Sequence, residues 1–432
     1  MNAVIYALGV VAFFLGVLGS IALHEVGHMW PAKKFGIKVT QYFVGFGRTV
    51  WSVRRGETEY GIKAVPLGGY VKLVGMLPPA PGADPTKVRS SNTGMFTQLI
   101  ADARAAEYET VGPGDEHRLF YRKPWWQKLI VMASGPLVNI GIATILFTVV
   151  FVGFGAPRAT TTVASVSACV IPAAEQGRVC SPADPVAPAA QAGLRPGDTI
   201  TAFNGTPIQS WNQLTDLIRS NDNGDAVIGL ERDGQPLTVH TNTLVSPRES
   251  LDGSTGTVDV GFLGVAPTEV TERHGLGYVA SNMWGYTKAT GSAIIDLPHR
   301  LVQVAQAAFG GKRSLDSPMS VVGASRVAGE VVTLNSVSWG DRIANVLGLL
   351  GAVNLFVALF NFIPLLPLDG GHIAGALWEA VRRGVARLRG RPDPGHVDVA
   401  KLLPVAYAVG ALLVVMGVLL VYADIVNPVP LQ

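Results

Sequence analysis

The chain has 432 residues, of which 48% are hydrophobic and only 15% are charged, and its mean hydropathy is +0.33. Soluble proteins usually carry about a quarter charged residues, so this composition argues against an ordinary soluble enzyme. The formal net charge is +3, and the basic residues form no stripe of the kind that binds nucleic acid, so no nucleic-acid partner is expected.

The apolar residues are concentrated in four stretches that contain no charged residue and no histidine. They are Ala3–Leu23, Leu129–Gly155, Ile343–Leu368 and Leu402–Ala423. About twenty helical residues cross a hydrocarbon core of roughly 30 Å, so the pattern predicts four transmembrane helices in a lipid bilayer. A cleaved signal peptide is the alternative for the first stretch, but no basic residue precedes it and no small-x-small site follows it.

The first apolar stretch runs directly into a metal-binding pattern, His24-Glu25-Val26-Gly27-His28. Histidines at i and i+4 lie on one face of a helix, so both imidazoles can reach one zinc ion. Glu25 is then placed to take a proton from a zinc-activated water. Ionisable groups at the end of a membrane span are functional by default, although an idle, hydrated span end is the alternative.

A catalytic zinc needs a third protein ligand and one open position. Asp369 is the first carboxylate after the 26 uncharged residues of the third apolar stretch, in a segment broken by Pro and Gly. Broken backbone at membrane depth is tolerated where it lines a cavity or is buried in protein. Asp369 is therefore the predicted third ligand, whereas His372 is either a partner that orients the site or an interfacial histidine.

Two further segments have strand character. Residues 37–75 predict a small antiparallel sheet with a hairpin turn at 54–57. Residues 158–245 contain Gly-Leu-Arg-Pro-Gly-Asp at 193–198, a helical stretch from Trp211 to Arg219 and two strands. This second unit resembles bacterial PDZ domains, which capture extended peptides at a sheet edge, although a β-rich spacer is the alternative.

The chain as a whole resembles the site-2 protease family of intramembrane zinc metalloproteases, in particular the RseP-type enzymes, and its single PDZ-like unit is similar to actinobacterial members. The resemblance rests on four motifs and that unit: H-E-x-x-H at 24–28, G-G-Y-V-K at 68–72, S-G-P-L-V-N at 134–139 and L-D-G at 368–370.

The resemblance implies a role for each of these site residues. Zinc is held by His24, His28 and Asp369, and Glu25 is the general base. Substrate-binding residues are Gly69, Tyr70, Asn139 and Asn361. The implied activity is hydrolysis of peptide bonds in or near the transmembrane segment of single-span membrane proteins, such as anti-sigma factors. The implied location is a bacterial plasma membrane.

The expected fold is a polytopic α-helical membrane protein with a small membrane-associated β-sheet and an extracytoplasmic PDZ domain. Lys and Arg number 14 in residues 31–126 and 6 in 364–401, but only 12 in the longer segment 155–340. Cytoplasmic loops carry the basic excess, so the active site is predicted to face the cytoplasm.

The predicted organisation divides the chain into eight parts. They are span one with H-E-x-x-H (1–30), a cytoplasmic β-loop and insertion (31–126), span two (127–157), the PDZ domain (158–245), an extracytoplasmic linker with amphipathic segments (246–341), span three with L-D-G (342–372), a cytoplasmic loop (373–401), and span four with the tail (402–432). Residues 78–118 have no assigned role.

Cys169 and Cys180 are the only cysteines, and both fall in the segment placed outside. That location permits a disulfide, and a pair of free thiols remains the alternative. Two other functions are alternatives. One is another membrane zinc protease whose third ligand is a Glu on a later helix, and the other is a non-catalytic scaffold, which has no need of Glu25.

Overall fold

The computed structural model describes residues 2–78, 100–105, 111–112, 114–175, 178–249, 257–308, 313, 317–334 and 337–429. The chain divides into two compact units. The helical unit is formed by Met1–Phe154 and His274–Gln432, and the β unit is formed by Gly155–Arg273. Most of the predicted insertion at 78–118, namely 79–99, 106–110 and 113, lies outside the described residues.

The helices are given in chain order. They are α1 (Asn2–Lys34), α2 (Trp125–Thr148, continued by a π-helical turn Val149–Phe154), α3 (Pro188–Gln191), α4 (Trp211–Arg219), α5 (Leu276–Ile295), α6 (Leu297–Ala308), α7 (Val321–Thr333), α8 (Trp339–Asn361), α9 (Asp369–Leu388) and α10 (Leu403–Val426). Among the described residues, four helices are long and apolar enough to cross a membrane: Ala3–Lys34, Trp125–Phe154, Trp339–Asn361 and Val399–Val426. The prediction of four membrane-spanning lengths is confirmed.

The strands are likewise numbered in chain order. They are β1 (Val39–Arg55), β2 (Thr58–Leu73), β3 (Ala156–Val166), β4 (Thr199–Phe203), β5 (Thr206–Pro207), β6 (Asp225–Arg232), β7 (Gln235–Asn242), β8 (Leu244–Glu249), β9 (Thr257–Phe262) and β10 (Val265–Glu272).

Helix α1 packs against α2, α7 and α8, which places its C-terminal end inside the helical unit. Phe13 and Val17 of α1 are buried with Ala324 and Ala328 of α7. Small residues allow helices to approach closely, which is the usual way to pack helices in a membrane. The inner face of α1 is thus packed against small apolar residues before the turns that carry the polar motif.

The third span ends earlier than the apolar stretch does. Helix α8 stops at Asn361, and α9 begins at Asp369. Pro364 and Pro367 have no backbone N–H to continue the helix, which explains the break. Segment 373–401, predicted only as a loop, contains most of α9.

Strands β1 and β2 form one antiparallel hairpin joined at 55–58, as predicted. Both strands bend, so residues 41–44 pair with 59–62 on one side, and residues 39–44 pair with 69–73 on the other. Gly45 and Gly47 allow the bend in β1, because both have positive φ angles of 94° and 84°. Segment 69–73 consequently lies at the edge of the folded hairpin.

Hairpin β1–β2 is fixed to helix α1. The Tyr42 hydroxyl donates a hydrogen bond of 2.9 Å to the carbonyl oxygen of Ala22. The Lys33 ammonium donates one of 2.6 Å to the Tyr60 hydroxyl. The sheet edge is thereby held beside the helix turn that carries the histidines.

The β unit is an antiparallel sheet with strand order β10-β3-β4-β6-β7, on which β5 pairs with β4. Its core includes Ile200, Phe203, Leu214 and Ile228. The predicted helix from Trp211 to Arg219 and the two strands that follow it are confirmed. The unit extends to Arg273, past the predicted boundary at 245, and includes a second hairpin, β8–β9.

The Gly-Asp turn before β4 is held by a buried carboxylate. Asp198 is 1% exposed and accepts hydrogen bonds from the backbone N–H of Arg195 (2.8 Å) and from the Arg232 guanidinium (2.7 and 2.8 Å). The Arg232 bond outweighs the burial penalty and lowers the pKa of Asp198 below its ordinary value.

Cys169 and Cys180 form a disulfide that closes a short loop of the β unit. Of the two alternatives that the sequence left open, the structure has the disulfide. Its Cα atoms are 6.0 Å apart, a normal separation for this bond.

Candidate active site

The two histidines of the H-E-x-x-H motif lie one helical turn apart on the inner face of α1. Their imidazole Nε2 atoms are 3.1 Å apart. Both side chains are buried, at 10% exposure for His24 and 8% for His28. The helix period alone brings them together, because residues i and i+4 share one face.

His28 is oriented by helix α2. Its Nδ1 donates a hydrogen bond of 2.8 Å to the carbonyl oxygen of Val131. A proton on Nδ1 leaves Nε2 with a free lone pair, which is the tautomer that a metal ligand needs. Gly135 gives the ring its space, since a Cβ at that position would overlap the His28 imidazole.

Asp369 reaches the histidines from the first turn of α9. Its Oδ2 lies 3.3 Å from Nε2 of His24 and 3.3 Å from Nε2 of His28. The following glycines explain this close approach. A Cβ at Gly370 would collide with the backbone of Ile363, and one at Gly371 with Leu366. The segment between α8 and α9 therefore folds tightly against α9 only because these positions have no side chain.

The three donor atoms fit a divalent metal ion. They lie 3.1–3.3 Å from one another, and ligand atoms about 2.0–2.1 Å from a tetrahedral zinc are separated by about 3.3 Å. Asp369 Oδ2 is buried without a hydrogen-bond donor among the described residues. Among the described residues, these three side chains are the group with metal-ligand chemistry whose donor atoms lie close enough together to bind one metal ion. Three potential ligand atoms that converge on one buried point suit a metal cation.

Glu25 lies beside this triangle, between the histidines in sequence and next to the edge of the hairpin in space. Its carboxylate lies close to the backbone of Val71. A Cβ at Gly69 would lie 3.0 Å from Glu25 Cγ. The half-buried carboxylate thus sits between the metal-binding atoms and segment 69–73.

Comparison with known proteins supports the same chemistry. The family model for Peptidase family M50 matches residues 12–392. The zinc metalloprotease Rip1 of Mycobacterium bovis is 35% identical over 99% of both chains. The Rip1 of Mycolicibacterium smegmatis is 32% identical over 98% of both, and the metalloprotease MmpA of Caulobacter vibrioides is 27% identical over 86% of both.

The chain belongs to Peptidase family M50. It is a site-2 protease, a zinc metalloendopeptidase of the membrane, and zinc is its cofactor. The family predicted from the sequence motifs is confirmed. The H-E-x-x-H motif lies beside the hairpin edge at 69–73. This arrangement is consistent with an enzyme of this family that acts on membrane-bound substrates.

The remaining residues that the sequence predicts to bind substrate in this M50 peptidase are Tyr70, Asn139 and Asn361, and each has different surroundings. The Tyr70 ring stacks on Phe43 and Phe46, and its hydroxyl donates to Gln41 at 3.3 Å. Asn139 is 2% exposed, and its Oδ1 has no hydrogen-bond partner among the described residues. Asn139 follows Gly135 by one turn of α2, whereas Asn361 is the last residue of α8.

His372 is not part of the metal-binding triangle. It is partly buried one turn after Asp369, and it lines a cavity that also borders Lys72 and Pro367.

Sequence reasoning missed the residues that hold the motif from other helices. Gly135 and Val131 were not assigned roles, and neither was Asn354. Asn354 is 1% exposed and donates hydrogen bonds to Ser20 Oγ (3.0 Å) and to the Leu350 carbonyl (2.8 Å). Ser20 lies one turn before His24, so this bond ties α8 to the helix that carries the H-E-x-x-H motif. An asparagine in the middle of an uncharged span was the signal that was available.

Proposed function

We propose that this enzyme cuts peptide bonds in or next to the transmembrane segment of single-span membrane proteins, with His24, His28 and Asp369 as zinc ligands and Glu25 as general base. Anti-sigma factors are the proposed substrate class. The observation that carries the assignment of roles is the triangle of donor atoms with a carboxylate directly beside it.

Zinc bound at this site would lower the pKa of a water molecule and polarise the scissile carbonyl. Glu25 takes the proton of that water and delivers it to the leaving amine, as a general base and then a general acid. The Glu25 carboxylate lies close to the backbone of Val71 at the hairpin edge. The Val131 carbonyl holds His28 in the tautomer that leaves Nε2 free.

The hairpin edge at 69–73 is the proposed binding site for the unwound substrate. A transmembrane helix has its backbone groups hydrogen-bonded within itself, so it must unwind before hydrolysis. An edge strand replaces those hydrogen bonds by β-augmentation. Gly69 supports this role because its missing side chain leaves the edge backbone close to Glu25.

We further propose a multi-pass arrangement in which the active site faces the cytoplasm and the β unit is an extracytoplasmic PDZ domain that binds a peptide. The distribution of Lys and Arg supports the orientation. The Cys169–Cys180 disulfide also supports it, because disulfides persist in oxidising compartments.

The test compares the purified wild type with Glu25→Gln on a tagged single-span substrate, with zinc measured in both. The two proteins should bind equal amounts of zinc, and the variant should cut at least about 100-fold more slowly. Glu25→Gln that cuts at the wild-type rate would refute the assigned base. Wild type that binds zinc but cuts no single-span substrate would refute the proposed substrate class.

A further inference from the structure

The hairpin edge beside Glu25 is open over only a short length. Residues 69–73 pair with β1 on one side, and within the described part of the chain no strand pairs with their other side. The carbonyl oxygens of Val74 and Gly75 accept hydrogen bonds from the backbone N–H groups of Phe120 (3.0 Å) and Tyr121 (2.9 Å). A substrate strand that pairs with this edge must therefore leave it after about residue 73.

A cavity of about 380 Å³ lies at this closed end of the edge. Its walls come from four places: the end of β2 and the turn after it, Ala103, the segment 366–372 around Asp369, and residues 399–406 at the start of α10. The residues that matter here are Lys72, Met76, Pro367, His372, Leu403 and Ala406. The cavity thus joins the substrate edge to the segment that carries a metal ligand.

The cavity is close to the reacting bond when measured along a bound strand. Glu25 borders the edge at Gly69 and Val71, and Lys72, the next residue, lines the cavity. Adjacent residues of a strand are about 3.3 Å apart. A substrate residue opposite Lys72 is therefore about one or two residues from the residue opposite Glu25.

The lining indicates the kind of side chain that fits. Met76, Pro367, Leu403 and Ala406 present apolar groups, and polar groups come from Lys72 and His372. Lysine side chains commonly cover apolar surface with their methylene stem while the ammonium stays in water. The volume is ample for the side chain of leucine or phenylalanine.

We propose that this cavity is a specificity pocket that selects a large apolar side chain in the substrate, one or two residues from the scissile bond. The inference rests on the proposed function, because it assumes that the substrate pairs with the edge at 69–73. It adds a substrate preference that the zinc site by itself does not produce.

The test uses the full-length enzyme in detergent and variants of one single-span substrate. In these variants, each of the six residues that flank the cleavage site, three on either side, is changed in turn to Leu or to Ala. Wild type should prefer Leu at one of these positions by at least about tenfold in kcat/KM. Ala406→Trp, which fills the cavity, should abolish that preference by lowering kcat/KM for the Leu substrate to the value for the Ala substrate. Ala408→Trp is the matched control, because Ala408 is exposed on the same helix and does not line the cavity.

Leu403→Ala provides a second variant that does not depend on inserting a large residue. By enlarging the cavity it should raise the relative rate for a Trp substrate at the same position. The pocket is refuted if wild type shows no preference at any position, or if Ala406→Trp and Leu403→Ala keep the wild-type preference. Wild type that cuts none of the substrates would instead refute the proposed function.

Discussion

Gly135 of α2 lies directly against the imidazole ring of His28 on α1, so that even a methyl group at position 135 would overlap the ring. The carbonyl of Val131, one turn earlier in α2, accepts the hydrogen bond from the same ring. Helix α2 therefore fixes both the position and the tautomer of His28, although it contributes no metal ligand.

Gly135→Ala should weaken zinc binding. The added methyl group displaces His28 from the Val131 carbonyl, and loss of such an orienting contact typically reduces metal affinity by about 10–100-fold. Competition with a chelator gives the affinity. Gly141→Ala is the control, since a Cβ at Gly141 in the same helix meets nothing within 4 Å. Equal zinc affinity in the two variants would contradict the role of Gly135.

Asp369→Ala should remove stoichiometric zinc and all cleavage. The two remaining histidines leave the ion one protein ligand short of the three that catalytic zinc sites use. Zinc content after purification is the readout, and Asp225→Ala, an exposed carboxylate in the β unit, is the control. A variant that retains tightly bound zinc would favour a zinc protease of the type whose third ligand is a Glu.

Glu379→Gln should destabilise the helical unit. The Glu379 carboxylate and the Lys128 ammonium are 2.7 Å apart and are 2% and 6% exposed. Removing one partner of a buried pair leaves an uncompensated charge and costs about 3–5 kcal/mol in the free energy of unfolding. The double variant Lys128→Met/Glu379→Leu should recover most of this loss. Unfolding titrations in detergent measure both, and equal losses would contradict the pairing.

The contribution of Glu379 should depend on pH in the acid range. Burial raises the pKa of Glu379, but the neighbouring His396 and Lys128 outweigh this effect and bring the pKa to about 2. An unfolded glutamate titrates at about 4.3. Because the folded value is lower, the stabilisation is complete above the unfolded value and is lost as the pH falls toward the folded value. The difference in stability between wild type and Glu379→Gln should therefore shrink from about pH 5 to about pH 2.

Removing the disulfide should destabilise the β unit. Cys169 and Cys180 are 11 residues apart, and closing a loop of that size contributes about 2–3 kcal/mol. Hydrogen exchange in peptides of the β unit should be faster in Cys169→Ser/Cys180→Ser than in wild type. Maleimide that labels both cysteines in unreduced, denatured wild type would contradict the disulfide.

The sequence by itself determined the features that depend on local periodicity. Apolar length gave the four spans, and the i, i+4 spacing put His24 and His28 on one face, because neighbours along a helix or strand have fixed relative positions. Alternation and turn residues gave the hairpin at 37–75 and the strands after Trp211. The motifs also predicted Asp369 as the third ligand, because it is the first carboxylate after the third uncharged stretch. They did not predict its distance from the histidines.

Only the tertiary structure decided which distant residues meet. The contact of Gly135 with His28, the pairing of Lys128 with Glu379 and the limited open edge beside Glu25 join segments far apart in the chain. Local patterns do not encode such contacts, because they depend on how whole helices pack. The break between α8 and α9 shows the same limit. Its glycines and prolines were visible in the sequence, but the close packing that carries Asp369 to the histidines exists only once the helices are assembled.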